Sequence, residues 1–240
     1  TVTVMRDGVS VDTKSVADYG REQIVRDMVG RSITEFYPPR GNKPGEVVLE
    51  VKNFQQPGLF HNINFTLRKG EILGVAGLMG AGRTEIMRAI FGVDACQSGE
   101  ITLNGQDLHI NKPEDAIKAG IGFVTENRKS EGLILDFSIL RNIALPSVDS
   151  FAKKSVINFK SLNEFAHKMA SKLGVKAQDL DLEAGSLAGG NQQKVVIAKW
   201  VVKKPDIIIM DEPTRGIDVG AKRDIYELMN ELPANGVSII

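Results

Sequence analysis

The chain has 240 residues, 42% hydrophobic and 25% charged, which suits one good-sized globular domain with an appendage. Thirty Lys and Arg balance thirty Asp and Glu, so net charge gives no reason to expect nucleic acid or an anionic membrane as partner. The single cysteine, Cys96, excludes an intrachain disulfide and reads as a small buried side chain. No apolar run approaches the ~20 residues that span a bilayer, and no signal-peptide pattern opens the sequence. The expectation is a soluble, cytoplasmic protein that reaches a membrane only through a partner.

Residues 2–5 alternate with strand period, Arg6-Asp7-Gly8 is a turn signal, and residues 9–11 continue outward, predicting a hairpin. Ile24, Met28 and Val29 have helical spacing over 21–29, ending near Gly30. Residues 37–45 hold three prolines and two glycines, a linker composition that marks a domain boundary. Strands are expected at 47–51, 63–67 and 72–75, a helix at 83–91, and a strand at 100–103. A helix at 112–119, capped by Asn111, precedes a strand at 121–124. Leu162, Phe165, Met169 and Leu173 share one face of a helix over 161–173. A helix at 192–202, an apolar strand at 207–210, a helix at 221–232 and a strand beginning at 237 complete the series. Strands alternating with helices indicate an α/β fold with a mostly parallel sheet core.

Three motifs carry chemistry. Gly77-Leu78-Met79-Gly80-Ala81-Gly82-Arg83-Thr84 lies between a strand and a helix and follows G-x-x-x-x-G-K-[ST], with Arg83 in the lysine position. Glycines let backbone N–H groups turn in around a phosphate, and the helix N-terminus adds its positive end. Thr84 stands where a hydroxyl ligates Mg²⁺. A dinucleotide fingerprint fails, because Glu85 occupies the place of the third glycine. The second motif is Asp211-Glu212 at the end of the apolar strand, where open α/β sheets bind ligands; Asp211 suits metal binding and Glu212 suits a general base. The third, Leu187-Ala188-Gly189-Gly190-Asn191-Gln192-Gln193, opens a helix shortly upstream and offers a second anion site.

A phosphate loop, then Leu-Ala-Gly-Gly, then a strand ending Asp-Glu is the order of the ABC ATPases, which residues 46–240 closely resemble. Lys69-Gly70-Glu71-Ile72-Leu73-Gly74, Gly80-Ala81-Gly82-Arg83-Thr84-Glu85, Glu126-Asn127-Arg128-Lys129 and Thr214-Arg215-Gly216-Ile217-Asp218-Val219-Gly220 narrow this further. They look like the second ATPase half of simple-sugar importers of the ribose, galactoside and xylose type. The resemblance implies a P-loop NTPase of ABC type, with an antiparallel β subdomain and a helical subdomain over 132–185 hinged at 126–131. It implies ATP and Mg²⁺ as cofactors, with Thr84, Glu126 and Asp211 toward the metal and Glu212 catalytic. ATP would lie on residues 77–84, its adenine stacked on Phe54 in preference to Phe60. Residues 188–192 would face the ATP of the other half.

In that family both halves lie on one polypeptide, so residues 1–45 would be the closing hairpin, helix and linker of a preceding half. Partners would be that half, membrane permease subunits and, indirectly, a periplasmic or surface sugar-binding protein, with no nucleic acid. The location implied is the cytoplasmic face of the cell membrane. Ribose or a galactoside is the expected cargo.

Three departures bear on activity. Arg83 replaces lysine, Glu126 stands where most relatives place glutamine, and Ala188 removes a signature serine hydroxyl. The histidine switch of the family lies beyond Ile240, so the fragment by itself is expected not to hydrolyse ATP. His61, His109 and His167 have no metal-like spacing. Two other readings remain open here: a regulatory half that binds nucleotide without turnover, and a non-transport ABC ATPase.

Overall fold

The computed structural model describes residues 1–6, 8–30, 43–153 and 156–240. Most of the predicted linker, and Asp7 of the predicted turn, lie outside the described residues. The hairpin is present: β1 (Val2–Arg6) and β2 (Val9–Lys14) pair antiparallel, with a bulge between Val4 and Met5. Helix α1 (Arg21–Val29) follows and is closed by Gly30 in the left-handed region. Tyr19 is buried beside them and donates its hydroxyl to Asp27 Oδ2 at 2.5 Å. Burial, together with that carboxylate, pushes the Tyr19 phenol up to about 12.

Strands β3 (Val47–Gln56) and β4 (Phe60–Arg68) run longer than expected, as one antiparallel ladder. Helix α2 (Arg83–Ile90) leads to β5 (Ser98–Leu103) and β6 (Gln106–Asp107), giving a four-stranded antiparallel sheet in the order β4-β3-β5-β6. Helix α3 (Pro113–Lys118) begins one residue later than Asn111 would allow. Lys112 is the extended cap residue, Pro113 supplies the first helical φ, and the Asn111 N–H donates to Asp115 Oδ2 at 3.1 Å. Asn111 is therefore not the cap.

Strand β7 (Ile121–Val124) precedes a helical segment made of α4 (Ile139–Ala144), a 3₁₀ stretch (Leu145–Phe151) and α5 (Phe159–Lys172). The short β8 (Ala152–Lys153) and β9 (Val156–Ile157) pair within it. Asn142 anchors this segment. It is 1% exposed; its Oδ1 accepts from Ile134 N–H at 2.9 Å, and its amide donates to the carbonyls of Ile134, Phe137 and Ser138.

Helix α6 (Gly189–Val201) then leads into β10 (Ile207–Met210), α7 (Val219–Ala234) and β11 (Ser238–Ile239). The parallel sheet has the order β11-β10-β7. Ile207, Ile208 and Ile209 are fully buried, as a strand covered on both faces requires. Phe91, Phe123 and Trp200 meet beside it, with ring centroids 5.4 and 5.5 Å apart. The expected strand at 72–75 reduces to a single parallel bridge between Ile72 and Ile239. Among the described residues Val75 and Ala76 belong to no strand, and Val75 is 40% exposed.

Candidate functional site

The loop after Ile72 turns sharply into α2. Gly80 and Gly82 sit at φ +77° and +83°, in the left-handed region that a side chain resists, and Gly82 is the residue that starts the helix. Its carbonyl accepts from Ile86 N–H at 3.1 Å, so Arg83 and Thr84 occupy the first turn with their backbone N–H groups at the free helix end. The loop crest is exposed: Leu78 is 85% and Met79 95% accessible.

Opposite it, β10 delivers Asp211 and Glu212. The Asp211 N–H donates to Val124 O at 2.9 Å, locking the end of β10 to the end of β7. The Thr84 side chain lies close enough to the Asp211 carboxylate to favour its ionised form, while Asp211 Oδ2 is buried with no hydrogen-bond partner. Burial lifts the Asp211 carboxyl above its ordinary value, with Thr84 opposing and the Glu212 charge adding to the rise. Glu212 takes φ +46°, costing a residue with a side chain of order 1–3 kcal/mol. Arg83 Nη1 donates to Glu212 Oε1 at 3.1 Å. Across the same cleft Arg215 pairs with Glu126.

Met79, Gly80, Ala81, Gly82, Arg83, Thr84, Glu85, Glu126, Glu212 and Arg215 line an open cleft of about 540 Å³. Three glutamates against two arginines leave its wall short of positive charge for a polyphosphate. A divalent cation fits that deficit. Thr84 and the orphaned oxygen of Asp211 are hard oxygen donors of the kind Mg²⁺ takes alongside phosphate. Among the described residues, no three His, Cys, Asp or Glu side chains gather into a metal cage. Any ion there would depend on ligand oxygens and water.

The sequence-derived residues therefore separate into groups. Gly77 to Thr84, Glu126, Asp211 and Glu212 converge. Phe54 does not join them: it is 3% exposed and stacked on Phe60 with centroids 5.6 Å apart, so neither ring offers a free face. The exposed apolar neighbour is Leu59, 52% accessible, whose carbonyl lies 3.3 Å from where a Gly82 Cβ would stand. In the glycine-rich segment, Ala188 is exposed and caps α6, but Gly190 packs against Ala221 and Gln192 is 2% exposed. Asn191 Oδ1 is taken by the Lys176 N–H at 2.9 Å. Ala188 is exposed, and Gly189 and Asn191 are half-buried. Arg215, Glu85 and Leu59 were missed as site residues, although Glu85 and Arg215 stand in the motifs that carry the family resemblance.

Comparison with known proteins gives the family context. Residues 60–215 match the family described as ABC transporter. The ribose import ATP-binding protein RbsA of Oceanobacillus iheyensis is 57% identical over 239 residues, covering 100% of this chain and 48% of that protein. The RbsA of Bacillus subtilis is 52% identical with the same coverage. The chain thus spans about half the length of these curated relatives. Among solved structures, the ATP-binding cassette MJ1267 superposes with a TM-score of 0.66 at 24% identity, covering 81% of this chain and 80% of that one. MJ0796, in a post-hydrolysis dimer with ADP and Pi, gives 0.66 at 23% identity, over 80% and 85%.

Proposed function

This chain belongs to the ABC transporter family, and from that premise we propose that it is the second ATP-binding half of a simple-sugar importer, with ribose favoured as cargo. The observation that carries the nucleotide assignment is the meeting of Thr84, at the start of α2, with Asp211, whose second oxygen is buried and unpaired. The sugar assignment draws on the relatives named ribose import proteins.

In this reading the amides of residues 77–84 cradle the phosphates and the α2 N-terminus adds its positive end. Thr84 and Asp211 hold Mg²⁺, which supplies positive charge to the phosphate oxygens. Glu126, neutralised by Arg215, borders that position. Glu212 accepts a proton from the attacking water once Arg83 releases it. Arg83, freed from Glu212, turns its guanidinium to phosphate. Leu59 gives the base an apolar contact in place of Phe54. Ala188 and Gly189 present backbone N–H groups to the nucleotide of a partner half.

Residues 1–45 then belong to a preceding half of the same polypeptide. The helical segment 132–185 meets permease subunits at the cytoplasmic face of the membrane, and a sugar-binding protein acts through them. No helix among the described residues is long and apolar enough to cross a membrane, so attachment through a permease suits the chain. The Arg83–Glu212 ion pair favours a second reading, in which this cleft retains nucleotide while turnover belongs to the partner's phosphate loop.

Equilibrium binding of a fluorescent ATP analogue tests the nucleotide assignment. Saturable, Mg²⁺-dependent binding is expected, and Thr84→Ala or Asp211→Asn should abolish its metal dependence. Absence of binding with Mg²⁺ present overturns it. Restoration of ribose uptake in cells lacking their own ATP-binding subunit, by the two-half polypeptide, tests the transport assignment.

A further inference from the structure

Within Glu126-Asn127-Arg128-Lys129 only Glu126 takes part in the chemistry above. Arg128 opens a π-helical turn (Arg128–Gly132) fixed by Asn127, whose Oδ1 accepts from the N–H groups of Lys129 and Ser130 at 3.2 and 3.3 Å. From there its half-buried guanidinium reaches two distant segments. Nε donates to Gln192 Oε1 at 3.3 Å, in the first turn of α6. Nη1 donates to Arg215 O at 2.9 Å and Nη2 to Gly216 O at 3.3 Å, in the loop that follows Glu212.

The neighbours of these contacts are themselves fixed. Gln192 passes the connection inward, its amide donating to Ala184 O at 3.3 Å. A Cβ on Gly189 would stand 2.7 Å from Arg128 Nη2, so the guanidinium fills the space that any side chain there would need. Arg215, whose carbonyl is held, also donates its N–H to Glu212 O at 3.0 Å and pairs through its side chain with Glu126 in the cleft. The acceptors of Arg128 are neutral oxygens on separate segments, a task for a planar fork of donors and not for a point charge.

We propose that Arg128 is a positioning residue that latches the N-terminus of α6 to the Arg215–Gly216 loop, so that the two segments move as one unit. Nucleotide entering this half's own cleft disturbs Glu212 and the Arg215–Glu126 pair. Arg128 delivers that displacement to Ala188 and Gly189, which face the nucleotide of the partner half. The consequence for coupling between the two nucleotide sites rests on the two-half reading given above; the latch itself rests on the contacts alone.

The test uses the two-half polypeptide carrying wild-type sequence, Arg128→Lys, Arg128→Gln or Arg128→Ala. ATP hydrolysis is followed against Mg-ATP concentration, and amide hydrogen exchange is read over 187–193 and 214–218. A fall in kcat of about tenfold or more is expected in all three variants, as loss of hydrogen bonds to a charged group implies. KM for Mg-ATP should stay within about twofold, since the phosphate contacts are untouched. Exchange should rise in both segments together, with Tm little changed, and the ammonium of Arg128→Lys should not rescue. Full activity in Arg128→Lys, or faster exchange in one segment only, overturns the latch. If the wild-type polypeptide shows no hydrolysis, the two-half reading fails, and the exchange data still decide the latch separately.

Discussion

Arg83 and Glu212 face each other across the cleft at 3.1 Å, with side chains 32% and 44% exposed. An ion pair this accessible contributes about 0.2–1 kcal/mol, so it biases the cleft without sealing it. Glu212→Gln should free Arg83 and tighten Mg-ATP binding by up to about fivefold. Arg83→Ala should weaken binding about tenfold, by removing a hydrogen bond to a charged ligand. Arg83→Lys, with a compact ammonium that suits the loop, should tighten it. Calorimetric titration of the four proteins gives the order; equal affinities would mean that Arg83 never touches phosphate. Asp211 makes a separate prediction. Its carboxyl is raised by burial, so its contribution to stability is full only below its ordinary, unfolded value and is lost as pH rises through the folded one. At neutral pH the ionised group is a cost in the absence of metal. Asp211→Asn should therefore raise Tm near pH 7 and flatten its dependence on pH in the acid range, while removing the stabilising effect of Mg-ATP. Thermal unfolding across pH, with and without Mg-ATP, checks both signs.

The elements that bring these residues together were unequally legible. Strand β10 announces itself, because a short fully apolar run bounded by polar residues has few other uses, and Asp211 and Glu212 follow it directly. Helix α6 begins three residues before the expected start at Gln192. Gly189 and Gly190, expected just ahead of the helix as an anion site at its N-terminus, lie inside it, where Gly190 lets Ala221 approach so closely that a Cβ would stand 2.4 Å from it. Phe54 was assigned by its position after a strand, but apolar packing with Phe60 claimed it. The cleft pairs were invisible because they join segments far apart in sequence: Arg83 and Glu212 are separated by 129 residues. Two elements carry predictions of their own. Asp218 caps α7 by accepting from Ala221 N–H at 2.9 Å, so Asp218→Ala should cost about 1 kcal/mol in chemical denaturation. Asn142→Leu strips the 134–138 turn of its buried partners. It should cost at least about 3 kcal/mol, as several backbone groups lose their hydrogen bonds together.

At the scale of the whole molecule, the parallel sheet is well buried while, among the described residues, the phosphate loop beside it is anchored to the rest of the fold at its two ends. Ile72 bridges Ile239 on one side and Gly82 opens α2 on the other; between them Leu78 and Met79 stand in solvent. The buried contacts are therefore concentrated in β7, β10, α6 and α7, and residues 77–81 of the loop lie exposed beside them. A ligand that binds only the folded chain stabilises it by RT ln(1 + [L]/Kd), about 2.7 kcal/mol at a hundredfold excess over Kd. For a chain of this size each kcal/mol moves Tm by roughly 2–4 °C, so saturating Mg-ATP should raise it by roughly 5–11 °C. The cleft wall carries Glu85, Glu126 and Glu212 against Arg83 and Arg215, so ATP without Mg²⁺ meets a surface short of positive charge. Its shift should be much smaller. AMP lacks the β- and γ-phosphates that residues 77–84 would hold, and it should give little shift with or without metal. Differential scanning of the chain with ATP, AMP and each plus Mg²⁺ separates the outcomes. Equal shifts for AMP and Mg-ATP would place the binding energy on the base beside Leu59, and the phosphate loop would then be an exposed turn with no ligand of its own.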